Sequence, residues 1–267
     1  MTNYAIKLCF VISLFLSCLI KVLGAEPIPL IFTVNSPGSI PYLYFDYSEQ
    51  TYKGLIPDFF ADLEQRKIFK IAYIDSNQLR SEQSVIAGKA DLYLANPKWL
   101  KHPEKVIASK PIIQHMTFLY SLTPFDANFS PAALDNKKVC TQHAYIYTGL
   151  QQSFETKKLQ RLDSSYQRAV ASMLIKGRCD YAILNNYNAI SIFEETEFCH
   201  MPIYQSPQPT SNIDLTILMR PELHEIKAII DNHLDVFIDN GKANKSLLFH
   251  SPKPRFPKPI TCKSTFS

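Results

Sequence analysis

Asp75-Ser76-Asn77-Gln78-Leu79-Arg80 and, after a helix-like run, Gly88-Lys89-Ala90-Asp91-Leu92-Tyr93-Leu94-Ala95-Asn96 return later in the chain. The second copy is Asp163-Ser164-Ser165-Tyr166-Gln167-Arg168, then Gly177-Arg178-Cys179-Asp180-Tyr181-Ala182-Ile183-Leu184-Asn185. The opening Asp and Arg recur at an offset of 88, and the Gly, Asp and Asn at an offset of 89. One single-residue insertion therefore aligns the copies. Each copy has the grammar of a helix feeding a buried strand. Two such units predict two similar α/β lobes with a site between them.

Outward from the repeat, the same grammar continues. Residues 29–34 are short, apolar and rich in β-branched and aromatic types, which predicts a strand. Residues 41–46 are extended and aromatic. Leu55, Phe59, Phe60 and Leu63 share one helix face after Gly54. A strand over 69–74 leads to a helix that Asp75-Ser76 is expected to cap, because a short oxygen side chain satisfies free N–H groups. Gly88 suits the end of that helix, and 92–95 is the next strand. After an extended run over 111–120 and a loop from Thr123 to Pro131, a second series follows. It comprises strands at 138–142, 160–162 and 180–184 and helices at 149–157, 166–175 and 188–195. A strand at 213–219 precedes a helix opened by Pro221 and ended by Gly241. Two crossings, 117–123 and 213–220, predict a two-stranded hinge on which the lobes close.

The bulk numbers describe an ordinary globular chain. It has 267 residues, 46 % hydrophobic and 19 % charged, with a formal charge of +4. Lys7 flanks an apolar run from Leu8 to Ile20, and Leu23-Gly24-Ala25 offers a small-residue cleavage site, so residues 1–25 read as a secretory signal peptide. The run is too short to span a membrane comfortably, and Lys21 interrupts it. Phe15-Leu16-Ser17-Cys18 loosely resembles a bacterial lipobox but lacks its leading Leu, so a lipid anchor at Cys18 is the less favoured alternative. Without the leader, 26 basic residues face 24 acidic ones, a balance of +2. That is no footprint for nucleic acid.

Four cysteines then remain, Cys140, Cys179, Cys199 and Cys262, and an even count in an exported chain points to disulfides. Three connectivities exist. If the strands at 138–142 and 179–184 are neighbours, Cys140 meets Cys179, leaving Cys199 with Cys262 to pin the C-terminal tail. Buried free thiols are the alternative.

At these residues the chain resembles an extracytoplasmic solute-binding protein of family 3, the amino-acid type with the type II periplasmic-binding fold. Ile40-Pro41-Tyr42-Leu43-Tyr44-Phe45-Asp46, with Gly54 and Asp58, resembles the family's opening motif. Gly88-Lys89-Ala90-Asp91 resembles its lobe-one core element. Ser109-Lys110-Pro111 resembles the segment before the first crossing. Lys137-Lys138-Val139 with Gly177-Arg178-Cys179-Asp180 resembles the lobe-two core. The likeness covers roughly residues 28–245. It implies a two-lobed α/β fold, each lobe a mostly parallel sheet flanked by helices. Lobe one would comprise 26–120 and 216–250, lobe two 121–215, and 251–267 an extended tail. It also implies a monomer in the periplasm that hands a small molecule to a permease, as of an ABC transporter, or to a sensor.

The resemblance breaks where relatives grip their ligand. Amino-acid binders carry an Arg after the lobe-one strand and an Asp at the end of the lobe-two strand. Here the first stretch is Asn96-Pro97-Lys98-Trp99-Leu100-Lys101-His102, and the second position is Asn185. Lys is a point charge rather than a planar fork, and Asn does not neutralise an ammonium. A polar or anionic solute other than a standard α-amino acid is therefore expected.

Ligands of open α/β sheets bind beyond the carboxyl ends of strands. That places Asn96, Asn185, Trp99, Lys101 and His102 as ligand candidates, with Tyr42 on the lobe-one wall and Tyr145 and Tyr147 after the first lobe-two strand. Turn chemistry is the alternative for the asparagines, and packing for the aromatics. Tyr44 reads as packing. Ser164 and Ser165 start a helix, so they either cap it or hold an anion. Arg80 and Arg168 read as packing each helix on its sheet, and Asp91 and Asp180 as groups that satisfy turns.

No nucleophile elbow, phosphate loop or metal motif is present, so no cofactor and no catalysis are expected. The alternatives are an exported enzyme resembling the cyclohexadienyl and arogenate dehydratases, with Glu104 or His102 as the acid, and a regulatory binding module without transport.

Overall fold

The computed structural model describes residues 26–36, 38–251 and 256. The expected leader and most of the expected tail, Cys262 included, lie outside them. The chain opens with β1 (Ile28–Asn35), whose inward residues Leu30, Phe32 and Val34 alternate as a strand requires. A small antiparallel sheet follows: β2 (Gly38–Ser39), β3 (Leu43–Asp46) and β4 (Thr51–Lys53). Helix α1 (Leu55–Gln65) buries Leu55, Ile56, Phe59, Phe60 and Leu63. Strand β5 (Phe69–Ser76), helix α2 (Gln78–Ile86) and strand β6 (Leu92–Ala95) complete the first copy of the repeat. After β7 (Ile107–Ala108), β8 (Ile113–Ser121) runs toward the second copy. Strand β9 (Lys137–Gln142) and helix α3 (Gln151–Glu155) lead into that copy, which β10 (Leu159–Ser164), α4 (Gln167–Ile175) and β11 (Tyr181–Asn185) form, and α5 (Asn186–Phe193) follows it. The chain returns through β12 (Tyr204–Gln205) and β13 (Ser211–Met219) to α6 (His224–Asp239) and α7 (Lys242–His250).

The main sheet has the order β5-β1-β6-β13-β8-β11-β9-β10. β1 pairs in parallel with β5 and β6, and β9 pairs in parallel with β10 and β11. The crossing strands β8 and β13 are antiparallel to their neighbours and to each other. Residues 113–117 of β8 pair with 211–215 of β13. Beyond that segment β8 continues along β11, and β13 continues along β6. Each crossing strand therefore starts in one half and ends in the other. Both crossings start earlier in the chain than the sequence suggests.

Separate cores support the two halves. One gathers Phe32, Phe59, Phe60, Ile217, Ile230 and Phe237. Others gather Tyr120, Val170, Phe193 and Phe198, and Leu119, Val139 and Ile183. Cys140 and Cys179 form a disulfide with their Cα atoms 5.8 Å apart, joining β9 to the residue pair that enters β11. Cys199 is disulfide-bonded as well.

The strand-entry aspartates are structural in both copies. Asp91 accepts the Ile31 main-chain N–H at 2.8 Å, and Asp180 accepts that of Lys138 at 2.7 Å. Each carboxylate thus ties its strand to the parallel neighbour. Two local readings need correction. The α2 cap is Asn77, which accepts the Arg80 N–H at 3.0 Å, while Asp75 and Ser76 finish β5. Helix α4 starts after Tyr166 with no side-chain cap, and Ser164 instead donates to the Tyr166 carbonyl. Gly241 does stop α6, which ends at Asp239, with a left-handed φ of +69° just past the Asn240 cap; α7 then starts anew at Lys242.

Candidate functional site

A cleft of about 880 Å³ lies between the two halves. It is lined by the exit ends of β1, β9 and β11, the starts of α2 and α4, the β2–β3 hairpin and the crossing strands. Gly54 sets the position of the hairpin wall. Its φ of +120° and the carbonyls of Pro41 and Tyr42, each 2.7 Å from where a Cβ would sit, leave room only for glycine. Those carbonyls accept the first two N–H groups of α1, so the Tyr42 loop and the helix start lock together.

The floor is aromatic. Trp99 contacts His115 at 5.3 Å between ring centroids, and His115 contacts Tyr42 at 5.7 Å. Tyr42 is 2 % exposed and its hydroxyl has no partner among the described residues. Burial pushes its phenol far above the ordinary range. The same cause pushes the His115 imidazole down from 6.5 to about 4, so it is neutral near pH 7. Between pH 6.5 and about 4 the unfolded chain binds a proton that the native chain refuses, so native stability falls as pH falls through that window. Urea unfolding across this range is expected to show less loss in His115→Gln than in the parent chain.

Polar side chains cross the cleft. The Asn35 amide donates to the Tyr145 hydroxyl at 2.7 Å, and Ser39 donates to Asn188 Oδ1 at 3.0 Å. Asn188 in turn donates to Gln167 at 2.6 Å, and Gln167 is hydrogen-bonded to Tyr145. Tyr42 also meets Tyr187 edge-on at 6.0 Å. The two halves are thus in contact through a ring of neutral side chains. On one side of it, the Tyr147 hydroxyl accepts the Gln142 N–H at 2.8 Å, and its ring lies beside that of Tyr145.

Of the residues singled out in the sequence, Tyr42, Trp99, Tyr145, Tyr147 and Asn185 line this one cleft. Asn185 also accepts the Asn188 N–H at 2.8 Å, capping α5. Asn96 is not among the lining residues. Its side-chain Oδ1 accepts the Lys98 N–H, and its side-chain Nδ2 donates to the Asp214 main-chain carbonyl at 2.6 Å. The structure does not bring Lys101 and His102 to the cleft. Their main-chain N–H groups bind buried Glu82, and the His102 ring pairs at 3.5 Å with exposed Glu104. Ser164 is likewise absent from the lining, whereas its neighbour Ser165 is present.

Arg168 lies at the cleft edge, held at 2.6 Å by both Glu195 and Glu197 rather than packed on the sheet. Helices α2 and α4 begin at Gln78 and Gln167, an offset of 89, so Arg168 matches Leu79 and not Arg80. One helical position is about a 100° turn, which takes the two arginines to different faces. The matched pair is Gln78 and Gln167, and both line the cleft. Tyr44, read as packing, also lines it, with its hydroxyl 3.1 Å from His250 of α7.

No protein-family model matches the chain, and no curated protein matches it. Solved structures do. One is the probable amino-acid ABC transporter extracellular-binding protein of Bacillus subtilis, at 15 % identity and TM-score 0.68 over 84 % of this chain and 98 % of that one. Another is a histidine kinase sensor domain with similarity to periplasmic binding proteins, at 14 % and 0.68 over 85 % and 98 %. A third is an ancestral amino acid-binding protein, a precursor of cyclohexadienyl dehydratase, at 14 % and 0.64 over 86 % and 97 %. At such identities the likeness carries the architecture and not the cargo: the chain has the two-lobed type II periplasmic-binding fold of the extracytoplasmic solute-binding proteins.

Proposed function

We propose that this chain is a periplasmic solute-binding protein that closes over a small, neutral, polar solute and presents it to a membrane transporter or sensor. Lobe one is taken as 26–117 and 215–250 and lobe two as 118–214, because Phe118, Leu119 and Tyr120 pack in the cores of the second half and Leu215 in that of the first, which shifts the boundaries expected from the sequence. One observation carries the solute class. Among the described residues that line the cleft, the only carboxylate is Glu195 and the only permanent cation is Arg168, and these two are bonded to each other. A carboxylate or ammonium brought into this cleft loses water and finds no free counter-charge. Amides, hydroxyls and tyrosines make up most of the remaining polar lining, which suits hydroxyl, carbonyl and amide groups on a ring-bearing or branched solute. The anionic solute expected from the sequence is for this reason set aside.

The transporter or sensor role is supported by the company the fold keeps, which includes a transporter-binding protein and a kinase sensor domain. A catalytic reading is weaker. The acids suggested for it, His102 and Glu104, are 54 % and 65 % exposed and outside the cleft lining. Turnover of prephenate would establish that reading instead.

A thermal-shift screen of amino acids, organic acids, neutral saccharides, amides and small peptides tests the proposal. Neutral polar compounds are expected to give the largest rise in Tm, since a ligand held only by the native state stabilises it. Largest shifts from standard amino acids would contradict it. With the best compound, Trp99→Ala is expected to weaken binding by roughly tenfold in calorimetry, the loss of one ring contact plus its packing.

A further inference from the structure

We infer that the end of lobe two opposite the cleft is a surface for anionic lipid headgroups. The sheet brings three turns together there. β9 and β10 run in register with Lys137 beside Leu159 and Lys138 beside Gln160, and the Asn136 N–H binds the Lys158 carbonyl at 2.8 Å. On the other side the Asp180 N–H binds the Lys138 carbonyl at 2.9 Å. The entry points of β9, β10 and β11 therefore adjoin. They carry Lys137, Lys138, Lys157, Lys158, Lys176 and Arg178, all exposed. The acids beside them are Asp135, Glu155 and Asp180. Asp180 is committed to the Lys138 N–H and lies 3.9 Å from Lys137, and Glu155 accepts from Gln151. Among the described residues, Lys138, Lys157, Lys158, Lys176 and Arg178 form no ion pair.

The opposite end of the same lobe is arranged differently. There Arg161 is paired with Asp163, and Arg168 with Glu195 and Glu197. Lobe two is thus polarised, with free cations at the strand entries and neutralised charge at the cleft. Five of the six cations are lysines, Lys137 and Lys138 at the start of β9 and Lys157, Lys158 and Lys176 in the turns that follow helices. Flexible point charges suit mobile headgroups, whereas recognition of one acidic protein surface favours the rigid Arg fork and buried aromatic anchors. Adsorption through the strand entries leaves the strand exits, and hence the cleft, free.

Co-sedimentation of the full chain with vesicles tests this independently of any solute. Vesicles of phosphatidylcholine with about a third phosphatidylglycerol are used at roughly 30 mM salt, where the screening length is near 20 Å. Binding is expected, with none to phosphatidylcholine alone, and its loss is expected at about 0.5 M salt. The exposed-site variant Lys138→Glu/Lys158→Glu/Arg178→Glu is expected to keep the parent Tm and to lose about a hundredfold or more in partition, at roughly fivefold per removed charge. Failure of the parent chain to bind the anionic vesicles would overturn the inference. So would undiminished binding by the variant, or binding to polyglutamate without binding to lipid.

Discussion

Gly149→Ala is expected to destabilise the protein by about 3 kcal/mol or more and to change how lobe two meets the hinge. A Cβ at this position would sit 1.5 Å from the Thr210 carbonyl oxygen and 2.6 Å from its carbon. Both are backbone atoms, so no rotamer change relieves the overlap. Nor is Thr210 free to retreat. Its N–H donates to the Thr117 carbonyl at 2.8 Å, and the Thr117 hydroxyl binds those of Thr210 and Ser211 at 2.8 and 2.7 Å. Thr117 and Ser211 are the paired residues where β8 and β13 cross. The clash therefore falls on the junction about which the lobes turn. Gly177→Ala is the comparison: among the described residues no atom lies within 4 Å of its would-be Cβ, and its φ of +65° is what opposes a side chain. Its cost is expected near 1 kcal/mol. Urea unfolding of both variants measures the contrast, and equal midpoints would show that the hinge tolerates the intrusion.

Loss of the Cys140–Cys179 disulfide is expected to cost about 4 kcal/mol, from the chain entropy released when a loop of this length is opened. The sequence separation is 39. Cys140 is fully buried and Cys179 8 % exposed, so the bond sits under lobe-two packing against Val170, Ala171 and Leu174. The Cys140→Ala/Cys179→Ala protein is expected to unfold at markedly lower urea, with the lobe-one core less affected. An unchanged midpoint would mean that β9 and β11 are held by their ladder and core alone.

Local grammar made most of the scaffold legible. The face of Leu55, Phe59, Phe60 and Leu63, the glycine stops and the short apolar strands each depend on neighbours in sequence. The Gly-basic-x-Asp phrase stood for the same physical device twice, an aspartate stitching its strand to the next. Helix α7 was not legible in the same way. It follows a left-handed glycine and is held by distant groups, with Ser246 and His250 both bonded to Asp58 of α1. Within the site, Trp99, Tyr145, Tyr147 and Asn185 were readable because they stand at or just after strand exits, where an open sheet puts its cleft, and Tyr42 through the opening motif that it shares with the family it resembles. Lys101 and His102 also follow a strand exit, but Glu82 turns their loop away from it. Asn35 ends β1 and carried the same signal unread, whereas Ser39, Gln167 and Asn188 gave none of that kind. Their partners are up to 149 residues away, and only the meeting of the lobes pairs them. One trace existed in the repeat, the matched Gln78 and Gln167, but the more conspicuous Arg80 and Arg168 obscured it by a shift of one residue.

The ring of polar side chains across the cleft bears most directly on the central claim, that two lobes close on each other about the β8–β13 junction. Small-angle X-ray scattering of the parent chain and of Asn35→Leu/Asn188→Leu measures it. Leu at these positions removes the Asn35–Tyr145 and Ser39–Asn188 bonds, each worth roughly 1 kcal/mol in net terms, together enough to shift a closed population by about tenfold or more. The radius of gyration is expected to match the closed form for the parent chain and to increase for the double variant. A saturating solute is expected to restore the closed value only in part. Indistinguishable scattering from the two proteins, with and without solute, would contradict the account.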